Sequence, residues 1–330
     1  MKISAMPRVF VLVCATSIAF TGCAIRQSLD PAQGDGADVI PRTATLPHAA
    51  RGHSWMLPEA KNETLLYVSN VYTITVYSFP KGKLVGTLSD FEKPYGECVD
   101  TKGNVYITDS SFGKIYEYAH GGTKPIKTLK DPEYVPYGCA VDPTTGNLAV
   151  ANYSDASARE GDLAIYSKAK GYPKSYIGYD FYYYYYCGYD PKGNLYINGL
   201  NDYGENLEFG ELAKGGTEIK DILLPNTVHF VGGVEWDGQY VAVGDGGVNI
   251  YQYTFNNDKA TLEGTTSLTG AGNVGQFGIA DSMVVTPNQF FSSSGVLLYP
   301  YPSGGSSTQT ITDGVFYPFS SVISPAATRR

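Results

Sequence analysis

Histidine and methionine occur only four times each in this chain, tryptophan twice and cysteine five times. Four widely separated histidines argue against a multi-histidine metal enzyme. Charge is sparse as well: 17% of residues are charged, and 32 Asp and Glu outnumber 24 Lys and Arg. Without a basic surplus, an electrostatic grip on nucleic acid is hard to build, so nucleic acid is not an expected partner. The apolar run from Val9 to Phe20 is too short to span a bilayer, which takes about 20 residues. GxSxG elbows, Walker loops and HExxH helices are missing. What is abundant is glycine (38) and tyrosine (28), in a chain of 330 residues that is 43% hydrophobic. That composition excludes disorder and leaves room for one large domain or two ordinary ones. Gly-rich turns between Tyr- and Val-rich runs predict an all-β chain of many short strands.

The N-terminus reads as an address. Lys2 and Arg8 precede the apolar run, which ends in small residues, the pattern of a secretory signal. Phe20-Thr21-Gly22-Cys23 resembles a bacterial lipobox, although Phe20 stands where Leu is usual. The resemblance implies a signal over 1–22, lipidation of Cys23 and a location at the bacterial cell envelope, exported and lipid-anchored. Ala24, with no Asp in its place, implies sorting to the outer membrane or cell surface. From 23 to 62 the chain has no sustained period and carries Pro31, Pro41, Pro47 and Pro58, so it reads as a tether in which Trp55-Met56-Leu57 packs locally.

A repeat fills 63–325. PYGECVDTKGNVYITD, from Pro94, recurs from Pro136 as PYGCAVDPTTGNLAVAN and from Tyr184 as YYYCGYDPKGNLYING, with divergent copies at Phe230–Tyr253 and Gln276–Tyr301. The turn glycines Gly103, Gly146, Gly193 and Gly238 recur every 43 to 47 residues, and a second Gly-rich turn marks each unit. Four short strands per period of about 45 residues describe a β-propeller blade. Leu65–Leu88 supplies three strands with no inner strand before them, and Tyr317–Ile323 an inner strand with nothing after it. Together they predict a six-bladed β-propeller with four-stranded blades, closed by N- and C-terminal strands sharing one blade, which removes the open edge. Residues 326–330 read as a disordered tail.

Pro94, Gly96, Val99, Asp100, Gly103, Asn104, Tyr106, Asp109 and Lys114 fill the places of the NHL repeat, which this segment resembles. The resemblance implies the fold but not one activity, since such propellers include scaffolds, lyases and lactonases.

Asp100, Asp142, Asp190 and Asp237 each precede a Gly turn and are expected to cap it. A second ring, Asn70, Asp109, Asn152, Asn198, Asp245 and Asn288, falls at the ends of the second strands. Tyr95, Tyr137, Tyr185, Phe230, Gln276 and Phe319 start the inner strands at the same face. If anything binds, this channel mouth is the expected place, with Tyr95, Tyr137, Tyr185, His229, Phe230, Asp109, Asn152, Asn198 and Asp245 as candidate contacts for a protein, glycan or small molecule. The alternative is that the polar ring caps turns and the tyrosines pack between blades. In the run Phe181–Tyr186, strand alternation would put Tyr183 and Tyr185 on one side and Tyr182, Tyr184 and Tyr186 on the other, some at an exposed rim. Cys98, Cys139 and Cys187 occupy similar positions in consecutive inner strands. They are expected to be buried free thiols, those strands being too far apart for a disulfide.

Two functions follow as expectations. The first is a tethered binding or scaffold propeller, monomeric, with no catalytic residues, metal or cofactor. The second is a Ca²⁺-dependent lactonase or lyase, as the family resemblance allows, with Asp109, Asn152, Asn198 and Asp245, and Glu97 if it faces the channel, as oxygen ligands.

Overall fold

The computed structural model describes residues 52–272, 274–288 and 294–326. The signal, Cys23 and most of the expected tether lie outside the described residues. The chain forms six antiparallel sheets of four strands arranged in a ring, a six-bladed β-propeller. Blade 1 joins Ser320–Ser324 to Leu65–Ser69, Ile74–Ser78 and Lys83–Leu88. Blade 2 is Pro94–Val99, Val105–Asp109, Lys114–Tyr118 and Pro125–Lys130; blade 3 is Tyr134–Val141, Leu148–Asp155, Glu160–Tyr166 and Lys174–Tyr176. Blade 4 is Tyr183–Tyr189, Leu195–Leu200, Leu207–Leu212 and Lys220–Asp221; blade 5 is Val234–Trp236, Val241–Gly244, Asn249–Asn256 and Lys259–Thr269. Blade 6 is Gly278–Ala280, Met283–Asn288, Gly295–Pro300 and Gln309–Ile311.

The ring closes as the repeat predicts. Ser320–Ser324 lies antiparallel to Leu65–Ser69, with Leu65 opposite Ser324 and Ser69 opposite Ser320. His120 adds a tie across the junction: one ring nitrogen meets Ser324 Oγ at 2.7 Å and the other the Glu63 carbonyl at 3.0 Å. The last part of the expected tether is structured. Trp55–Met56 pairs with Gly86–Thr87 as a fifth strand on blade 1, and Ala60, in the short 3-10 helix that follows, is wholly buried.

Middle strands such as Leu65–Ser69 and Val105–Asp109 are buried along their whole length. A blade is covered by a neighbour on each face, so its strands read as continuous apolar runs rather than alternating ones. Alternation survives in the choice of neighbour. Leu65 and Tyr67 pack with Val105 and Ile107 of blade 2, while Leu66 and Val68 pack with Val285 and Val296 of blade 6. Among the described residues, every blade interface has such a cluster.

Two recurring motifs now have physical reasons. The Asp before the inner hairpin turn caps it in blades 2 to 5: Asp100 Oδ1 accepts the Lys102 and Asn104 amides at 2.8 Å, and Asp190 Oδ1 those of Lys192 and Asn194 at 2.8 and 2.9 Å. The glycine of Pro-Tyr-Gly is forced by crowding near the axis. A Cβ on Gly96 would lie 2.1 Å from the Tyr137 carbonyl oxygen, and one on Gly138 would lie 2.4 Å from that of Tyr185.

Candidate functional site

The inner strands all run in the same direction, so their first residues converge at one channel mouth. There Tyr95 stacks on Tyr137 with ring centres 4.8 Å apart. Phe319 meets Tyr95 edge-on at 4.9 Å, Tyr137 meets Tyr185 at 5.1 Å, and Tyr185 meets Phe230 at 6.0 Å. Five blades thus contribute to one aromatic floor, each contact adding about 0.5–1.5 kcal/mol beyond simple burial. Tyr95, Tyr137 and Tyr185 are buried within it. Phe230, Phe319 and Tyr183 are half-buried at its surface, and His229 beside Phe230 is exposed.

The tyrosine run departs from strict alternation. Tyr184 pairs with Gly199 and Tyr186 with Asn198, so the strand bulges at Tyr185. A bulge turns neighbouring side chains toward one side, and Tyr185 and Tyr186 both pack on Tyr137. Tyr184 instead lies against Phe181, its hydroxyl accepting the Gly178 amide at 2.8 Å. The exposed tyrosines among the described residues are others, Tyr172, Tyr179 and Tyr203.

Gln276 stands in blade 6 where the other five blades place an aromatic, and it reaches the inner strand of blade 2. Its Oε1 accepts the Glu97 amide at 3.1 Å and its Nε2 donates to the Glu97 carbonyl oxygen. This two-point pairing imitates a strand ladder and stitches blade 6 to blade 2 just below the floor.

The Asn/Asp ring is buried and engaged. Asp109 accepts the Glu92 and Lys93 amides at 3.0 and 3.1 Å. Asn152 donates to Asp131 at 3.0 Å and Asp162 at 2.7 Å, while its Oδ1 accepts nothing. Asn198 accepts the Tyr186 amide and donates to the Gly232 carbonyl at 2.7 Å. Asp245 accepts the Gly247 and Asn249 amides through Oδ1 and the Asn249 side chain through Oδ2. Burial pushes the Asp109 carboxyl above the usual range, while its amide donors oppose the shift. Glu97, named with this ring, points between blades 1 and 2, where Oε2 accepts the Ser320 hydroxyl at 3.0 Å and Oε1 has no partner. Burial raises its carboxyl to about 8. Among the described residues, no group of three or more His, Cys, Asp or Glu side chains is placed to hold a metal ion.

The expectation of three free thiols is overturned. Cys98 and Cys139 form a disulfide between blades 2 and 3, with Cα atoms 5.6 Å apart. Near the axis neighbouring inner strands approach closely, through glycines such as Gly96 and Gly138, and this brings the cysteines within bonding range. Cys187, one blade further, stays reduced and buried, and burial pushes its thiol up.

The other channel mouth was not singled out by the sequence. The C-terminal parts of the six inner strands enclose a cavity of about 120 Å³, lined by Cys98, Cys139, Tyr189, Glu235 and Trp236 among others. Glu235 is its one carboxylate, and burial alone raises it to about 7. The only sequence signal was an acidic residue inside an otherwise apolar inner strand, Val234-Glu235-Trp236.

No family model matches the chain, and no curated protein matches it. Solved structures resemble its fold. A chain of the nidogen/laminin complex aligns over 80% of this chain and 100% of its own length, with a TM-score of 0.63 and 14% identity. A protein of unknown function from Bacteroides caccae aligns over 79% of this chain and 98% of its own, at TM-score 0.58 and 12% identity. A functionally unknown protein from Desulfotomaculum acetoxidans aligns over 80% and 99%, at TM-score 0.56 and 12% identity. At such identities the likeness is one of fold.

Proposed function

We propose that this chain is an NHL-like binding propeller, exported and held at the bacterial cell envelope through a lipid on Cys23, that captures a protein, glycan or small molecule without bond chemistry. The working surface is the face bearing the aromatic floor. One observation carries this reading: rings from five blades pack into a continuous apolar surface at the channel mouth, with Phe230, Phe319 and Tyr183 still reachable from solvent. Aromatic faces edged by an exposed polar group such as His229 suit a sugar ring or an apolar side chain. The amides accepted by the oxygens of Asp109, Asn198 and Asp245 favour this reading over the calcium enzyme, which would need those oxygens on the ion.

The test pairs capture with variants. The full chain is used to probe a glycan array and to recover partners from the envelope, beside Tyr183→Ala/Phe230→Ala and a control, Ile126→Ala, on an exposed outer strand. Loss of capture in the double variant and not in the control is the expected result. Equal capture by all three would sink the assignment to this face. Ca²⁺-dependent hydrolysis of lactones or esters would overturn the non-catalytic reading.

A further inference from the structure

On the face opposite the aromatic floor, the cavity holding Glu235 has features of a second, separate site. We propose that it binds a small primary ammonium ion, with the Glu235 carboxylate as counter-ion and Trp236 and Tyr189 as walls. This inference does not depend on the binding role assigned to the aromatic floor.

Charge is the first argument. The cavity is lined by Cys98, Cys139, Tyr189, Glu235, Trp236 and backbone and aliphatic groups of the six inner strands, with no Lys, Arg or His among them. No hydrogen bond or ion pair from a described protein group reaches the Glu235 carboxyl, and desolvation is the sole cause of its raised proton affinity. Glu235 is half-buried, and a carboxylate that loses part of its hydration without a protein partner is costly. A cation entering the cavity would relieve that cost.

Size and chemistry narrow the cation. A cavity of about 120 Å³ has room for about four waters, and so for an amine of a few heavy atoms. One negative charge matches a monovalent ion, whereas Ca²⁺ takes six or more oxygens. Trp236 and Tyr189 line the cavity, and aromatic rings attract organic cations. Each inner strand pairs on one side only, so its other edge borders the axis and offers backbone carbonyls to the remaining N–H donors of an ammonium group.

Glu235 also makes the site sensitive to pH. With its carboxyl near 7, the ionised fraction rises about tenfold from pH 6 to pH 8. The neighbouring titratable groups stay neutral in that range: burial pushes both the Tyr189 hydroxyl and the Cys187 thiol upward, and the disulfide does not titrate.

The experiment is calorimetric titration of the full chain with ethylammonium at pH 6 and pH 8, with K⁺, Ca²⁺ and tetramethylammonium as comparison probes. Ethylammonium is expected to bind about tenfold more tightly at pH 8, with proton release on binding, and Glu235→Gln to weaken it at least about tenfold. Tetramethylammonium, bulkier and without N–H donors, is expected not to bind. Three results would overturn the proposal: no ethylammonium binding up to tens of millimolar, equal affinity at the two pH values, or K⁺ or Ca²⁺ binding more tightly than the amine. If Glu235→Gln does not fold, the pH pair on the unmodified chain still decides.

Discussion

Replacing Glu97 by Gln is expected to make the propeller more stable as the medium becomes alkaline, relative to the unmodified chain. Glu97 is wholly buried, its Oε2 accepts one hydroxyl and its Oε1 accepts nothing. Burial moves its carboxyl from an ordinary 4.5 to about 8. Between those values the folded chain keeps a proton that the unfolded chain has released. Stability attributable to Glu97 is therefore full below pH 4.5, falls as pH rises, and levels off above about 8. The slope is roughly 1.4 kcal/mol per pH unit, so the whole interval is worth a few kcal/mol. Gln has the same shape and no titration, so its curve lacks this component. Urea unfolding of both proteins at intervals from pH 5 to pH 9 measures the difference, in which all other titrating groups cancel. A difference that stays flat from pH 5 to pH 8 would show that Glu97 is already ionised in the folded protein, and the argument would fail. A difference of opposite sign would fail it as well.

Two further outcomes concern the axis. Cys98→Ala/Cys139→Ala removes a cross-link spanning 41 residues and should lower stability by about 4 kcal/mol on chain-entropy grounds; a reductant should do the same to the unmodified chain, and insensitivity to reductant would refute the pairing. Gly138→Ala would place a methyl 2.4 Å from the Tyr185 carbonyl oxygen, and should cost about 1–3 kcal/mol or more through displaced backbone. Thermal melting reads this, and an unchanged midpoint would mean that the inner strands are not so closely packed.

The repeat made the architecture legible. Turn glycines at a regular period, a capping Asp before each, and three unpartnered strands at one end matched by one at the other suffice for six closed blades. Those features are local: each depends on residues a few positions apart, and Asp100 with Gly103, or Asp190 with Gly193, builds its turn whatever surrounds it. The glycine of Pro-Tyr-Gly was visible as a pattern but not as a cause, because its reason is the carbonyl of the next blade.

What the tertiary structure alone decided is what happens at the axis, where residues from different blades meet. The spacing of Cys98 and Cys139 says nothing of their distance, which depends on how tightly two inner strands converge. Alternation placed Tyr185 opposite Tyr186, and a bulge brought both to Tyr137. Gln276 and Glu97 lie far apart in the chain and pair only because the ring closes. Glu235 acquires its isolation from the five other strands that wall its cavity. Periodicity fixes the blade because a blade is made of neighbours in sequence; the channel is made of residues one full repeat or more apart, and their encounter is set by the curvature of the whole ring.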